Sequence, residues 1–397
     1  MKLSNRIEAL PYSAIRKLTP YADKAKKAGK KIYHLNIGAP DVKTPDLFLD
    51  AIKNLDLDVL TYAPSKGLPE LIEATSKYYK SWGMDFDPED IVVTTGGSEA
   101  LLFAILAITD EGDEILTCEP FYANYNSFSY ETGIKMNSFS SSVQDGFHLP
   151  NKETIEKAIT PKTKAILLSN PCNPTGTVYN KEELRMVADI AKAHDLFILS
   201  DEVYREFTFD GAEFISFATF EDIKDRVIVL DSISKRFSAC GARIGTIASK
   251  NKEIMSACVK LVTGRLAAPT LEQVGAASLY NNIDPSYYKD VQEEYERRRD
   301  CIYEELNKIE GVTTYKPGGA FYIMPELPVD NAEDFAIWML EEFDVDGETV
   351  MMAPAEGFYQ NTEKGRSQIR LAFVLNCDDL RRACHIIKLG IEAYDNR

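Results

Sequence analysis

The sequence predicts an α/β protein: a large domain built on a doubly wound, mostly parallel sheet, followed by a smaller α+β domain. Three observations carry this. Between residues 91 and 230, five short apolar runs alternate with helical stretches, the pattern of repeated βαβ units. Each run ends in polar or glycine-rich residues, which gathers them at the carboxyl edge of the sheet, where such folds bind ligands. Past Gly245 the alternation stops, and long helices give way to short strands. The expected divisions are an arm over 1–44, the large domain over 45–285 and the small domain over 286–397. A chain of 397 residues is long enough for both domains.

Charge narrows the function classes. Lys+Arg 45 against Asp+Glu 62 leaves a net charge of −17. Such a field repels phosphate backbones and anionic bilayers, so neither nucleic acid nor a membrane is expected as a partner. Seven cysteines with no CxxC pair, and four histidines with no HExxH, give no metal site. An odd, scattered cysteine count suits a reduced cytoplasmic interior. The first residues, Met1-Lys2-Leu3-Ser4-Asn5-Arg6, carry charge where a signal peptide is apolar, and no apolar run approaches the ~20 residues of a membrane span.

In order along the chain, 14–29 has helical spacing with Gly29 as its stop. Residues 31–41 read as a short strand breaking at Gly38-Ala39-Pro40, where Gly38 serves either turn geometry or close approach to a ligand. A helix is predicted over 68–82, with Pro69 in its first turn. Strand 91–94 runs into Thr95-Gly96-Gly97-Ser98-Glu99 and a helix over 98–108; free N–H groups at that terminus suit an anion, although a plain connector looks the same. Strand 114–118 ends at Phe121-Tyr122-Ala123-Asn124-Tyr125, aromatic rings that either pack the core or stack on a flat ligand. Strand 164–169 ends at Asn170-Pro171-Cys172-Asn173-Pro174, a rigid turn able to aim the Asn173 amide. Strand 196–200 ends at Asp201-Glu202-Val203-Tyr204, and a carboxylate there needs a cation or a donor. Helices are expected over 252–263, 271–280, 287–308 and 378–394, with short strands over 319–324 and 368–374. Arg370, set among apolar neighbours, wants a carboxylate, either structural or from a substrate.

The fifth run, 227–230, delivers Asp231-Ser232-Ile233-Ser234-Lys235, with Arg243 eight residues on between Gly241 and Gly245. Burial favours the neutral, nucleophilic amine of a lysine. A solvated loop lysine is the ordinary alternative. An imine-forming lysine beside serines and an arginine suits a phosphorylated aldehyde, and pyridoxal phosphate is the candidate.

Asn173-Pro174-Thr175-Gly176, Asp201-x-x-Tyr204 and Ser232-x-x-Lys235 with Arg243 occur in an order and spacing that resemble the pyridoxal-phosphate-dependent aminotransferases of fold type I, in the aspartate-aminotransferase-like class I/II branch. The resemblance runs from Asn36-Ile37-Gly38 to Ile369-Arg370-Leu371. It implies that Lys235 holds the cofactor as an aldimine and then moves a proton between the substrate Cα and the cofactor in a ping-pong cycle. It implies that Asp201 pairs with the ring nitrogen, that Asn173 and Tyr204 hydrogen-bond the phenolic oxygen, and that Tyr122 stacks on the ring. Gly97, Ser98, Glu99, Ser232 and Arg243 are implied for the phosphate, with Tyr62 reaching the phosphate in a neighbouring copy. Arg370 is implied for the substrate α-carboxylate and Gly38 for closure over it. The implied assembly is a homodimer with shared sites.

The substrate side chain is less constrained. Relatives acting on aspartate carry a lysine after the Gly-Gly turn, and this chain has Ser98 there. Arg265 is the expected reader of a distal carboxylate, with Arg16 a weaker candidate. The expected activity is transfer of an amino group from aspartate to 2-oxoglutarate. The alternatives are an aromatic or neutral amino acid as donor, with Phe121, Tyr122 and Tyr125 lining the pocket, or a β-eliminating lyase on the same lysine.

Overall fold

The computed structural model describes residues 1–394; positions 395–397 of the expected 286–397 domain lie outside the described residues. Its strands, in chain order, are β1 (Lys31–His34), β2 (Ile91–Thr94), β3 (Glu114–Glu119), β4 (Lys135–Ser140), β5 (Thr163–Ser169), β6 (Phe197–Asp201), β7 (Val227–Ser232), β8 (Gly245–Ala248), β9 (Tyr322–Ile323), β10 (Glu348–Met351), β11 (Ala353–Pro354) and β12 (Ile369–Ala372). Seven of them form one sheet in the order β2-β8-β7-β6-β5-β3-β4. The sheet is mostly parallel, and β8 alone runs against both its neighbours.

Side chains alternate between two cores. Val92, Ile115, Leu167, Leu199, Ile228 and Ile247 face the helices Gly96–Ile108 and Lys252–Arg265. Ile91, Val93, Leu116, Ile166, Ile198 and Val229 face Pro69–Ser81, Lys181–Ala193 and Thr270–Asn282. A sheet buried on both faces needs unbroken apolar strands, which is why β2, β3, β5, β6 and β7 stand out in the sequence. A third core joins Leu18–Leu35 to residues between Val291 and Ile391, with Tyr204, Phe207 and Phe209 packed into it. There β9, β11 and β12 form an antiparallel sheet, while β1 pairs in parallel with β10.

Several elements depart from expectation. β4 is an edge strand, bonded only to β3 and burying Met136 and Phe139, so it needs no apolar run. β8 follows the 233–244 connection, which holds only a one-turn helix and a 3-10 turn and no crossover helix, and it pairs antiparallel with β7. The expected 14–29 helix is shorter, Thr19–Lys27, because Pro20 fixes its first turn. The helix after β2 begins at Gly96 and takes in the Gly-Gly pair. The helix Ala332–Glu341 and β10 were not anticipated.

Candidate active site

The carboxyl ends of the central strands open into a cavity of about 460 Å³. Lys235 stands on its wall, carried by a one-turn helix, Ile233–Arg236, directly after β7. Ser232 caps that turn, its Oγ accepting from Ser234 N at 3.1 Å and donating to the Ile244 carbonyl at 2.9 Å. The Lys235 amine donates to the Gly38 carbonyl at 2.8 Å, with Cys240 Sγ 3.9 Å away. The rings of Tyr204 and Phe321 lie 5.9 Å from it on the apolar side. The lysine is therefore half-buried and paired with a carbonyl, with no carboxylate on it among the described residues.

Asp201 closes β6. Its Oδ2 accepts from the Tyr125 hydroxyl at 2.8 Å, whereas Oδ1 is shielded from solvent and has no well-formed hydrogen bond among the described residues, the Val203 backbone N–H being close enough to favour the charged carboxyl. Burial pushes the carboxyl up to about 6, against the Tyr125 bond, which pulls it down. A buried carboxylate oxygen without a donor is costly, so the site is shaped for a group that supplies one.

Arg370 on β12 is buried beneath the cavity. It donates to Asn173 Oδ1 at 3.0 Å and to the Asn36 carbonyl at 2.7 Å, and its Nε has no partner. Tyr322 lies under the guanidinium, 4.4 Å from ring centre to Cζ. Its hydroxyl meets that of Tyr204 at 2.8 Å. Asn36 in turn donates to the Ile15 carbonyl at 3.0 Å, tying Arg370 to the N-terminal arm. From that arm Arg16 lines the cavity, near enough to Tyr122 to act on its hydroxyl; no acidic group among the described residues holds it.

At the other end of the cavity, Gly97 and Ser98 occupy the start of the helix Gly96–Ile108, opposite Ser232, Ser234 and Arg243. Gly96 is required here: its φ is +76° and a Cβ would run into the Arg243 guanidinium. Free N–H groups, hydroxyls and a guanidinium around one end of a cavity fit a phosphate. Tyr122 presents its ring to the cavity, set edge-on to Tyr125 at 5.5 Å, with burial raising its hydroxyl to about 12.

Of the residues singled out from sequence, Gly38, Gly97, Ser98, Tyr122, Asn173, Asp201, Tyr204, Ser232, Lys235, Arg243, Arg370 and Arg16 all line this one cavity. Glu99, Arg265, Tyr62 and Phe121 do not, Phe121 being buried behind Tyr125. The Glu99 carboxylate turns back to accept from Thr95 N at 2.7 Å and pairs with Arg265 Nε at 3.3 Å, while Arg265 also donates to the Val93 carbonyl at 3.0 Å. Tyr62 is 81% exposed, on a surface with Leu60 and Pro269. Two functional groups were missed: the Tyr125 hydroxyl, read as wall, and Tyr322, read as a strand residue. The spacing of Tyr125 from Tyr122 carried a usable signal, since both follow one strand; Tyr322 carried none.

The comparisons with known proteins agree with this geometry. Residues 30–387 match the family model for aminotransferase class I and II. The aspartate aminotransferase of Geobacillus stearothermophilus is 31% identical, over 99% of this chain and 100% of its own. A mutant Thermus thermophilus aspartate aminotransferase superposes with a TM-score of 0.90 at 29% identity, over 98% of this chain and 100% of that one. An alanine aminotransferase from Pyrococcus furiosus superposes equally well, TM-score 0.90 at 32% identity, over 99% and 100%. The chain belongs to the class I and II aminotransferases, pyridoxal-phosphate-dependent transaminases of fold type I.

Proposed function

We propose that this chain transfers the amino group of an acidic L-amino acid, aspartate first, to 2-oxoglutarate, with pyridoxal 5′-phosphate held at Lys235. The observation that carries the reading is that the Lys235 amine and the solvent-shielded Oδ1 of Asp201 both stand on the wall of one cavity. When bound, the cofactor supplies an electrophilic aldehyde carbon and a ring that draws electrons from the substrate Cα. Asp201 would hold the ring nitrogen, Asn173 and Tyr204 would serve the phenolic oxygen, and Tyr122 would lie against the ring. Gly97 and Ser98, with the backbone of Glu99, would offer N–H groups to the phosphate, together with Ser232 and Arg243.

The chain's own residues then divide the work. Arg370 binds the α-carboxylate through Nε and Nη, exchanging the Asn36 carbonyl for a charged acceptor. That fixes the Cα near Lys235, whose Nζ takes and returns the Cα proton. Gly38 closes over the substrate and its carbonyl holds the lysine amine in place. Arg16 supports an acidic side chain because it is a cation on the cavity wall with no carboxylate of its own. Within one chain Arg265 is engaged by Glu99, so a role for it in reading substrate rests on a neighbouring copy. The exposed Leu57, Val59, Leu60 and Tyr62 support a homodimer, with Tyr62 reaching the neighbour's phosphate site. Seven free thiols support a cytoplasmic setting.

A neutral or aromatic donor is the second reading, favoured by Ile15, Leu101, Tyr122 and Phe128 on the same wall. One experiment separates them. Glutamate formation from 2-oxoglutarate is measured with aspartate, alanine and phenylalanine, for the wild type, Lys235→Ala and Arg16→Gln. Aspartate leads, Lys235→Ala abolishes turnover and the lysine-linked absorbance, and Arg16→Gln lowers aspartate use at least ten-fold more than alanine use. A lead for phenylalanine establishes the second reading. Pyruvate and ammonia from serine, without glutamate formation, refute transamination.

A further inference from the structure

Behind the cavity lies a buried cluster of charge that the chemistry above does not use. Asp231, Glu202, Glu206, Arg205 and Arg236 are its members, and none of them lines the cavity. Each is nevertheless close in sequence to a residue that does. Glu202 follows Asp201, Arg205 and Glu206 follow Tyr204, Asp231 precedes Ser232 and Arg236 follows Lys235. The two segments that carry the site thus face the cavity with one set of side chains and grip each other with the other set.

We propose that Arg236 is a positioning residue for Lys235, holding the one-turn helix that carries the lysine through its ion pairs with Asp231 and Glu206. The proposal rests on the reading of Lys235 as the cofactor-bearing lysine. A single helical turn does not sustain itself, because nucleation fixes several residues for one hydrogen bond. Something outside the turn must set its direction. Asp231 Oδ1 accepts from Ser232 N at 2.7 Å, at the entry to the turn, and from Arg236 Nη2 at 2.5 Å, at its exit. One carboxylate therefore ties both ends of the turn together. Arg236 is fixed at two further points: Nη1 donates to the Tyr280 hydroxyl at 2.5 Å and Nε lies 2.9 Å from Glu206 Oε1. The Tyr78 ring lies against the guanidinium, 4.6 Å from its centre to Cζ. Arg205 joins the same Asp231 at 2.8 Å and Glu202 at 2.8 Å, so the Asp201–Tyr204 segment is locked to the Lys235 turn through one shared carboxylate. The separation of Lys235 from Asp201 and Tyr204 is then set from behind, without any of these groups touching substrate.

Glu206 is the adjustable member. Three carboxylates share two guanidiniums in this cluster, and burial pushes Glu206 up to about 7, opposed by Arg236 and reinforced by Asp231. Tyr287 and Tyr288, at the start of the helix Ser286–Leu306, lie near enough to feel its charge. The grip on Arg236 accordingly depends on the charge of Glu206 near neutral pH.

The test compares the holoenzymes of Glu206→Gln, Arg236→Lys and the charge-balanced pair Arg236→Met with Glu206→Gln. Four quantities are read: the pH midpoint of the lysine-linked cofactor absorbance, kcat and KM with the preferred donor, and the thermal midpoint of the cofactor-free chain. Positioning predicts that the pair loses at least ten-fold in kcat with KM within about three-fold, that the absorbance midpoint moves by half a pH unit or more, and that Arg236→Lys recovers most of both. Glu206→Gln, which keeps shape and leaves Arg236 its Asp231 partner, shifts the absorbance midpoint even where the pair folds poorly. An unchanged midpoint and kcat in folded variants overturn the proposal, as does a lowered thermal midpoint with no spectral shift. A wild type lacking the lysine-linked band overturns the reading of Lys235 itself.

Discussion

Replacing Tyr125 by phenylalanine removes one hydroxyl and leaves the ring against Phe121 and Tyr122. The hydroxyl donates to Asp201 Oδ2 at 2.8 Å, and burial pushes the Asp201 carboxyl up to about 6 with that bond in place. A hydrogen bond to a charged acceptor contributes about 1.5–3 kcal/mol. At about 1.4 kcal/mol per unit, its loss raises the carboxyl by roughly one to two units. The sign follows from which form accepts: only the ionised carboxylate offers both oxygens, so removing a donor favours the protonated acid. In the role proposed for Asp201, the ionised form is the one that would hold the cofactor's ring nitrogen. The assay is titration of the cofactor-free protein with pyridoxal phosphate between pH 5 and 9, following the lysine-linked absorbance. Wild-type affinity falls off below about pH 6, whereas Tyr125→Phe falls off one to two units higher, with the two proteins converging near pH 9. An acid limb at the same pH in both refutes the coupling of Tyr125 to Asp201.

Two further outcomes are expected. In Gly38→Ala the new methyl overlaps the Tyr322 hydroxyl, which carries Tyr204 and underlies Arg370; overpacking of about 1–3 kcal/mol lowers kcat/KM roughly five- to a hundred-fold, checked by steady-state kinetics with either substrate. Arg205→Met leaves Glu202 and half of Asp231 unpaired in a fully buried setting and costs about 3–5 kcal/mol, read as a lowered urea midpoint at constant slope.

The legible parts of the chain were those buried on both sides. β2, β3, β5, β6 and β7 announce themselves as apolar runs, and their polar ends stand out where each run stops. β4 and β8 were hidden by an edge position and a short antiparallel return, which leave no comparable pattern. The cavity's charged and hydroxyl groups were legible for the same reason as the strands, since Asp201 and Lys235 are anomalous where they sit. Tyr125 and Tyr322 were not, because a tyrosine in an apolar stretch is ordinary and only the fold shows where its hydroxyl points. The charge cluster had no signature at all. Arg205 and Arg236 look like surface arginines in sequence, and both are almost wholly buried.

The contacts of Arg370 bear on selectivity. Its guanidinium already holds the Asn173 amide oxygen and the Asn36 carbonyl, and Asn36 holds the Ile15 carbonyl of the arm. In the proposed role, a ligand engages Arg370 by addition at the unpartnered Nε and by swap at Nη2, so at Nη2 affinity is the difference between two acceptors. A neutral amide or ester in place of the carboxylate gains almost nothing over the carbonyl it displaces, while a carboxylate gains its full charge. The arginine thus filters for acids by having a neutral competitor built beside it, and the arm, linked through Asn36, registers each swap.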